Sequence, residues 1–394
     1  MSSSSAMAAP SPTILTRQFL LTCAAGVTLF ASFQLLTAVL PLYVRDDLGG
    51  STTAVGLIVG VFSIAALLPR LFIGREIDRT GAKRFLLVGA GLFLLAGILY
   101  MFANTVPLVL GVRAVHGLGM ACFHTASFAF IAQISPPSRR GEAMGIWGLM
   151  STFATAISPY LGLLIRDATG MTTLFAIAAG GAAAALVLLT FVTDPGPDEN
   201  VSSASRGGLF EPSVMPAAVL ILLSNLVYGA IAAFIIVYAE DRDIANSGLY
   251  FTVFAVAVLA SRVFGGRLAD RLSRLAVVLP TFVLTILAMG TLALTSSLAL
   301  LLLTGVLFGL AFGAGQPALN AFAVDLVEPA RRGAGMATFT SFFEAGIGMG
   351  AIGMGAVAGI TGYSMMFALT AIFPIIALVY GFAVARPAER AHHQ

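Results

Sequence analysis

The sequence predicts an all-α membrane protein: twelve transmembrane helices in two pseudo-symmetric six-helix bundles. Three observations carry this. First, 58% of the 394 residues are hydrophobic and only 10% are charged, whereas a soluble domain carries about 25% charged residues. Second, the apolar residues fall into twelve runs, each close to the ~20 residues a helix needs to cross a bilayer core. Third, the chain repeats itself at an offset of 192 residues. Gly74-Arg-Glu-Ile-Asp78-Arg79 recurs as Gly266-Arg-Leu-Ala-Asp270-Arg271, and Arg139-Arg140-Gly141 recurs as Arg331-Arg332-Gly333. Two hydrophobic halves in one register describe a duplicated bundle with a cleft between its halves.

Residues 1–15 are polar and rich in Ser, Ala and Pro, which predicts a disordered cytoplasmic tail. The first apolar run follows Arg17 and reaches Leu40. It exceeds the roughly 7–15 residues of a signal-peptide core, so it reads as an uncleaved span. The N-terminal bundle, 16–192, holds spans at 16–40, 52–74, 84–103, 106–133, 142–165 and 171–192. A linker over 193–213 follows, opening with Asp194-Pro-Gly-Pro-Asp-Glu and reaching Gly207-Gly208, a composition that favours flexibility. The C-terminal bundle, 214–385, holds spans at 214–238, 247–266, 275–295, 298–324, 334–359 and 363–385, and a short tail, 386–394, closes the chain.

An even number of spans puts both termini on one side. Fifteen of the 21 basic residues fall on that side, and only Arg45, Arg166 and Arg242 fall on the other. The bias of basic residues toward the cytoplasm then predicts cytoplasmic termini. A net charge of +3 is no nucleic-acid signal. Cys23 and Cys122 lie in apolar runs and suggest neither a disulfide framework nor a metal site.

The loop between spans two and three carries the most specific pattern: Gly74, Asp78, Arg79, Gly81, Lys83 and Arg84. Gly-x-x-x-Asp-Arg-x-Gly-x-Lys-Arg at this place resembles the signature loop of the major facilitator superfamily. The resemblance covers the whole chain through its twelve spans, two halves, cytoplasmic linker and weaker second loop. It implies a transporter fold, a small-molecule substrate held between the halves, and a conformational latch at Asp78. Gly74 and Gly81 are read as positions of close approach and tight turning. The plainer reading of Asp78 and Arg79 is that such residues only orient the protein. Asp270 and Arg271 form a weaker copy, because their loop lacks the second glycine and the lysine. Arg70 and Arg262 also share the 192 offset, each one turn inside its loop, where snorkelling explains them.

An ionisable group inside a span is costly and so a candidate for function. Span four supplies Arg113, His116 and His124, and at 100° per residue these form one stripe expected to face the cleft. The stripe resembles the superfamily's span-four motif, whose arginine is linked to proton transfer. Arg113 itself cannot readily deprotonate. It either tunes an acid or binds an anion, or it is structural and bonds to carbonyls. His116 and His124 titrate near neutrality and suit a proton relay, or else they are core histidines. Glu344 is the carboxylate farthest from either interface, about 15 Å into span eleven, and is the leading proton carrier against a purely structural role. By the resemblance, spans one, four, seven and ten line the cleft. Gln34, Asn225, Tyr228, Gln316 and Asn320 are then pocket candidates, with Phe33, Phe123 and Phe312 as its apolar wall or simply as packing residues.

The span-five pattern Gly145, Ala154, Ser158-Pro159, Gly162 resembles, in degenerate form, a motif of exporters of the drug:proton antiporter branch. The sequence therefore predicts a proton-coupled exporter of a small organic molecule. A uniporter or proton symporter for a nutrient, metallophore or lipid-like solute is the alternative. The expected partners are a small-molecule substrate, protons and membrane lipids, with no nucleic acid and no cofactor, and the chain is expected to act as a monomer. No nucleophile–base pair, metal cluster or phosphate-binding loop supports an enzyme.

Overall fold

The computed structural model describes residues 13–194, 196, 210–269, 273–328, 331–385, 387 and 389. Among them the ordered elements are all helical. The N-terminal half contains α1 (Arg17–Thr37), α2 (Thr52–Leu67), α3 (Ala82–Tyr100), α4 (Val106–Ile134), α5 (Arg140–Thr169) and α6 (Met171–Thr190). The C-terminal half contains α7 (Met215–Glu240), α8 (Leu249–Ala269), α9 (Arg274–Ala293), α10 (Leu298–Asp325), α11 (Arg332–Thr361) and α12 (Tyr363–Thr370), the last continuing as Ile372–Tyr380.

Local chemistry sets the boundaries. Thr16, Ser51, Ser273 and Ser297 each accept a hydrogen bond from a first-turn N–H, capping α1, α2, α9 and α10. Gly170 and Gly362, both at positive φ, close α5 and α11 and turn the chain into the next helix. One expected span is broken. The run at 52–74 stops at Leu67 and resumes as a separate helix, Arg70–Thr80. Pro69 sits at the break and has no N–H to give to the helical ladder.

Ten helices among the described residues are long and apolar enough to cross a membrane, and two shorter apolar stretches, Thr52–Leu67 and Leu249–Arg262, complete the twelve. Those two are α2 and the apolar part of α8, equivalent elements of the two halves. The repeat is visible in the packing. α1 packs on α5 and α6, as α7 packs on α11 and α12, while α2 and α3 pack on α4, as α8 and α9 pack on α10. The halves meet through α2 against α11 and through α8 against α5, again an equivalent pair.

The core shows which way the molecule is closed. We call the face bearing the described chain ends the terminal face and its opposite the distal face. Toward the distal face one apolar cluster runs through both halves, from Leu35, Val44 and Ile58 to Phe234, Ala351 and Phe367. Toward the terminal face the core divides. One cluster around Phe19, Phe123 and Trp147 belongs to the N-terminal half, and another around Leu220, Phe282 and Phe322 to the C-terminal half. The cleft between the halves is thus sealed distally and parted terminally.

Small residues let the helices approach closely. A Cβ on Gly229 of α7 would lie 2.1 Å from the carbonyl oxygen of Ile347 on α11, and one on Gly56 of α2 only 2.3 Å from that of Ala351. At Gly290 of α9 a Cβ would meet nothing within 4 Å. Gly229→Val is expected to destabilise the purified protein by about 1–3 kcal/mol through overpacking, read as a lower melting temperature in detergent. Gly290→Val should leave that temperature within a degree or two of the parent.

Candidate functional site: the cleft between the halves

Two adjoining pockets occupy the middle of the cleft. One is lined by Gln34, Thr37 and Thr155 from the N-terminal half and by Tyr228, Tyr250 and Phe254 from the C-terminal half. The other, with about 140 Å³ open to water, lies among Ser151, Thr152 and Thr155 on one side and Tyr228, Arg262 and Phe312 on the other. The walls differ in chemistry. The α1–α5 wall carries amides and hydroxyls, with Gln34 Nε2 donating to Thr155 Oγ1 at 2.6 Å. The facing wall is aromatic, with Tyr228 stacked on Phe312 at a 5.0 Å centroid distance and a 26° interplanar angle, and Phe254 5.8 Å from Phe312.

One ion pair bridges the halves deep in the protein. The Arg70 guanidinium lies 2.9 Å from Glu344 Oε1, with side chains only 15% and 12% exposed. Glu344 reaches across from α11, and Arg70 opens the helix that resumes after Pro69. At the other junction of the halves, Arg262 on α8 donates to Thr152 Oγ1 on α5 at 3.3 Å.

The distal face is locked by charges. Arg45 lies 2.7 Å from Glu240 and 3.2 Å from Asp241, and Arg166 lies 3.1 Å from the other oxygen of Glu240. Arg45 also pairs with its neighbour Asp46 and donates to the carbonyl of Val237. Arg45 and Arg166 belong to the N-terminal half, Glu240 and Asp241 to the end of α7, so Glu240 ties two cations of one half to the other half. Arg242, the third distal basic residue, rests over the Tyr238 ring at 4.7 Å and donates to Ser364.

Several sequence expectations meet a different geometry. Arg113 and His116 of the α4 stripe line neither pocket. Arg113 is 4% exposed, donates through Nε to the carbonyl of Ile58 at 2.9 Å, and stacks over Phe62 at 4.3 Å. No acid pairs with it among the described residues. His116 is 2% exposed, shares a 3.3 Å contact with the Tyr100 hydroxyl, and is boxed by Phe33, Phe62 and Phe93. The aromatic shell fixes these side chains inside the N-terminal half. Phe123 is fully buried against Phe30 and Trp147, Phe33 stacks on Phe62, and neither lines the two pockets. Asn225 is fully buried and donates to Ile221 of its own helix, Gln316 is 9% exposed, and Asn320 is exposed; none lines the two pockets. Gln34, Tyr228 and Phe312 do line them. His124 is half-buried, packed against Phe30 and Phe128.

In the signature loop, Gly81 has φ +91°, and a Cβ there would sit 3.0 Å from the Asp194 carboxylate, so the turning role holds. Gly74 has nothing within 4 Å of a Cβ and makes no close approach. Arg79 pairs with Glu76 one turn back in its own helix, at 3.4 Å. Asp270 and Arg271, like the side chain of Asp78, lie outside the described residues.

The comparisons with known proteins agree with this architecture. The model of the Major Facilitator Superfamily matches residues 22–249 and 217–394. The chain belongs to the major facilitator superfamily. An uncharacterized MFS-type transporter of Burkholderia mallei is 30% identical over 94% of this chain and 94% of its own length. A staphylopine export protein of Staphylococcus aureus is 22% identical over 92% of this chain and 94% of its own length. Among solved structures, a POT family transporter superposes with a TM-score of 0.81 at 14% identity, covering 94% of this chain and 96% of that one. The nucleoside transporter NupG gives 0.75 at 16% identity, covering 96% of this chain and all of that one.

As a member of this transporter superfamily the chain is no enzyme, and the cleft is its candidate site for a small-molecule substrate. Reading four spans as its lining missed α5 and α8, which supply Thr155, Tyr250 and Phe254. The offset of 192 held a clue to that junction, because it relates Arg70 to Arg262 and Thr152 to Glu344. Glu240→Gln removes a carboxylate from between two arginines and should weaken the distal lock. In a variant lacking Cys23 and Cys122 and carrying Thr155→Cys, a membrane-impermeant thiol reagent applied from the distal face is expected to react severalfold faster once Glu240→Gln is added.

Proposed function

We propose that this chain is a proton-coupled secondary transporter that exports a small organic molecule by alternating access, with Glu344 carrying the proton. The observation that carries this reading is the Arg70–Glu344 pair, a nearly buried ion pair between one half and the other. Ionised, Glu344 attracts Arg70 and holds α11 on the N-terminal half. Protonated, it loses that attraction, and the halves are freed to rock. The pair retains 15% and 12% side-chain exposure beside the cleft, which gives protons a route from water.

The magnitudes suit a switch. Removing one partner of a fully buried pair costs about 3–5 kcal/mol, and one pH unit is worth about 1.4 kcal/mol per proton. A partly solvated pair is weaker than the buried limit, so a gradient of one to two units is of the right size to reverse it.

The reading places the termini in the cytoplasm of a bacterial inner membrane, following the concentration of basic residues on that side. The cleft then opens to the cytoplasm, the side from which an exporter loads. The resemblance to a staphylopine export protein supports the export direction. In the other half of the cycle the distal lock of Arg45, Arg166 and Glu240 opens, cargo leaves, and Glu344 takes a proton from outside.

The test uses proteoliposomes and a cargo found by thermal-shift screening. An inwardly directed proton gradient is expected to accelerate export at least tenfold. Glu344→Gln should abolish that acceleration while keeping cargo exchange in the absence of a gradient. Flux through the parent protein that ignores an imposed pH gradient contradicts the coupling, and accumulation in the direction of proton flow contradicts export.

A further inference from the structure

We propose that the cargo is a small aromatic organic anion, and that Arg262 with Thr152 receives its acidic group. This deepens the reading of the cleft as the cargo site and rests on it.

The offset of 192 relates Arg70 to Arg262 and Thr152 to Glu344. Both equivalent contacts form across the junction of the halves: Arg70 to Glu344 at 2.9 Å, and Arg262 to Thr152 at 3.3 Å. The first is a complete ion pair. The second is the same pair with the acid replaced by a neutral hydroxyl. Among the described residues no carboxylate lies within ion-pair distance of Arg262.

A guanidinium keeps its charge under all physiological conditions. Within a membrane an uncompensated charge is costly and marks a place where a partner is supplied. Arg262 lines the larger pocket, so that partner can arrive through the cleft. Of its five N–H donors, Thr152 engages one nitrogen, at 3.3 Å, and the remaining donors suit the bidentate geometry of a carboxylate, sulfonate or phosphate. Arg70 is already neutralised by Glu344, so Arg262 alone sets the sign of the pocket. A cationic cargo would meet repulsion there.

The rest of the pocket specifies the body of the molecule. Tyr228, Phe254 and Phe312 line the pocket together with Thr152 and Thr155, an aromatic lining that favours a flat, conjugated ligand. Tyr250 lines the adjoining pocket, and its hydroxyl is buried without a hydrogen-bond partner. That hydroxyl can bond a polar substituent on the ring edge. The chemistry is that of an aromatic acid of one or two rings.

Binding to the purified full chain, measured by calorimetry and thermal shift with no gradient present, tests this. The probes are 1-naphthoate, its neutral amide 1-naphthamide, and the cation 1-naphthylmethylammonium. Naphthoate is expected to bind and stabilise, with at least tenfold preference over both analogues. Arg262→Gln should cost at least tenfold in naphthoate affinity. Thr152→Glu supplies the missing acid from within and should cost as much, while its unliganded melting temperature stays at or above that of the parent. Equal or tighter binding of the amide or the amine overturns the proposal. So does naphthoate affinity unchanged in both variants, or no naphthoate binding to the parent at millimolar concentration. Because no proton gradient enters, failure of proton coupling leaves this result untouched, and an amine that binds and is pumped defeats the anion assignment alone.

Discussion

The rest of the arrangement depends on the contact between Arg70 and Glu344. Each half of the protein is a self-contained stack of helices with its own terminal core. Among the described residues, α2 against α11 and α5 against α8 are the most extensive junctions between the halves. An ion pair placed at the first of these junctions acts on the relation between the halves and not on the fold of either one. Under the proposed coupling, its protonation would act on conformation while leaving the fold of each half intact. The two side chains are 15% and 12% exposed, shielded more than a surface pair.

The distal lock and the divided terminal core belong to the same logic. Distally, apolar residues from both halves merge into one cluster, and Arg45, Arg166, Glu240 and Asp241 close over it. Terminally, the halves keep separate clusters. Closing the terminal side would bring the two terminal cores together at the expense of the distal one. Exchange of one apolar interface for another of similar kind leaves a small energy difference, which a proton or a ligand is able to tip.

Much of the fold was legible in the sequence, because each span is a run of apolar residues and the repeat fixes their grouping. The broken second span was not anticipated, although Pro69 was in plain view, since hydropathy alone passes smoothly across it. The site was harder to read. Helical periodicity correctly put Arg113 and His116 on one stripe of α4, but it holds no information about which neighbour that stripe faces. Phe62, Phe93 and Tyr100 turn it into the N-terminal half. Glu344 stood out as a deep acid, whereas its partner was read as a snorkelling arginine. Seeing that Arg70 meets Glu344 requires the packing of α2 on α11, a contact between halves that local pattern does not encode. The 192 offset was the one sequence signal that reached across the halves, and it relates the complete charge pair to its incomplete counterpart.

The most direct test of the central claim is a distance between the halves measured against pH. Spin labels at Ser138 and Glu328, one on the terminal face of each half, would be placed in a chain lacking Cys23 and Cys122 and reconstituted in nanodiscs. The proposed switch predicts that the longer distance dominates at neutral pH and gives way to a shorter one in acid. With Glu344→Gln the distribution should be the same at both pH values. A Glu344→Gln protein that keeps the full pH-dependent shift of the parent would show that the proton acts elsewhere, and the ion pair would lose its role as the switch.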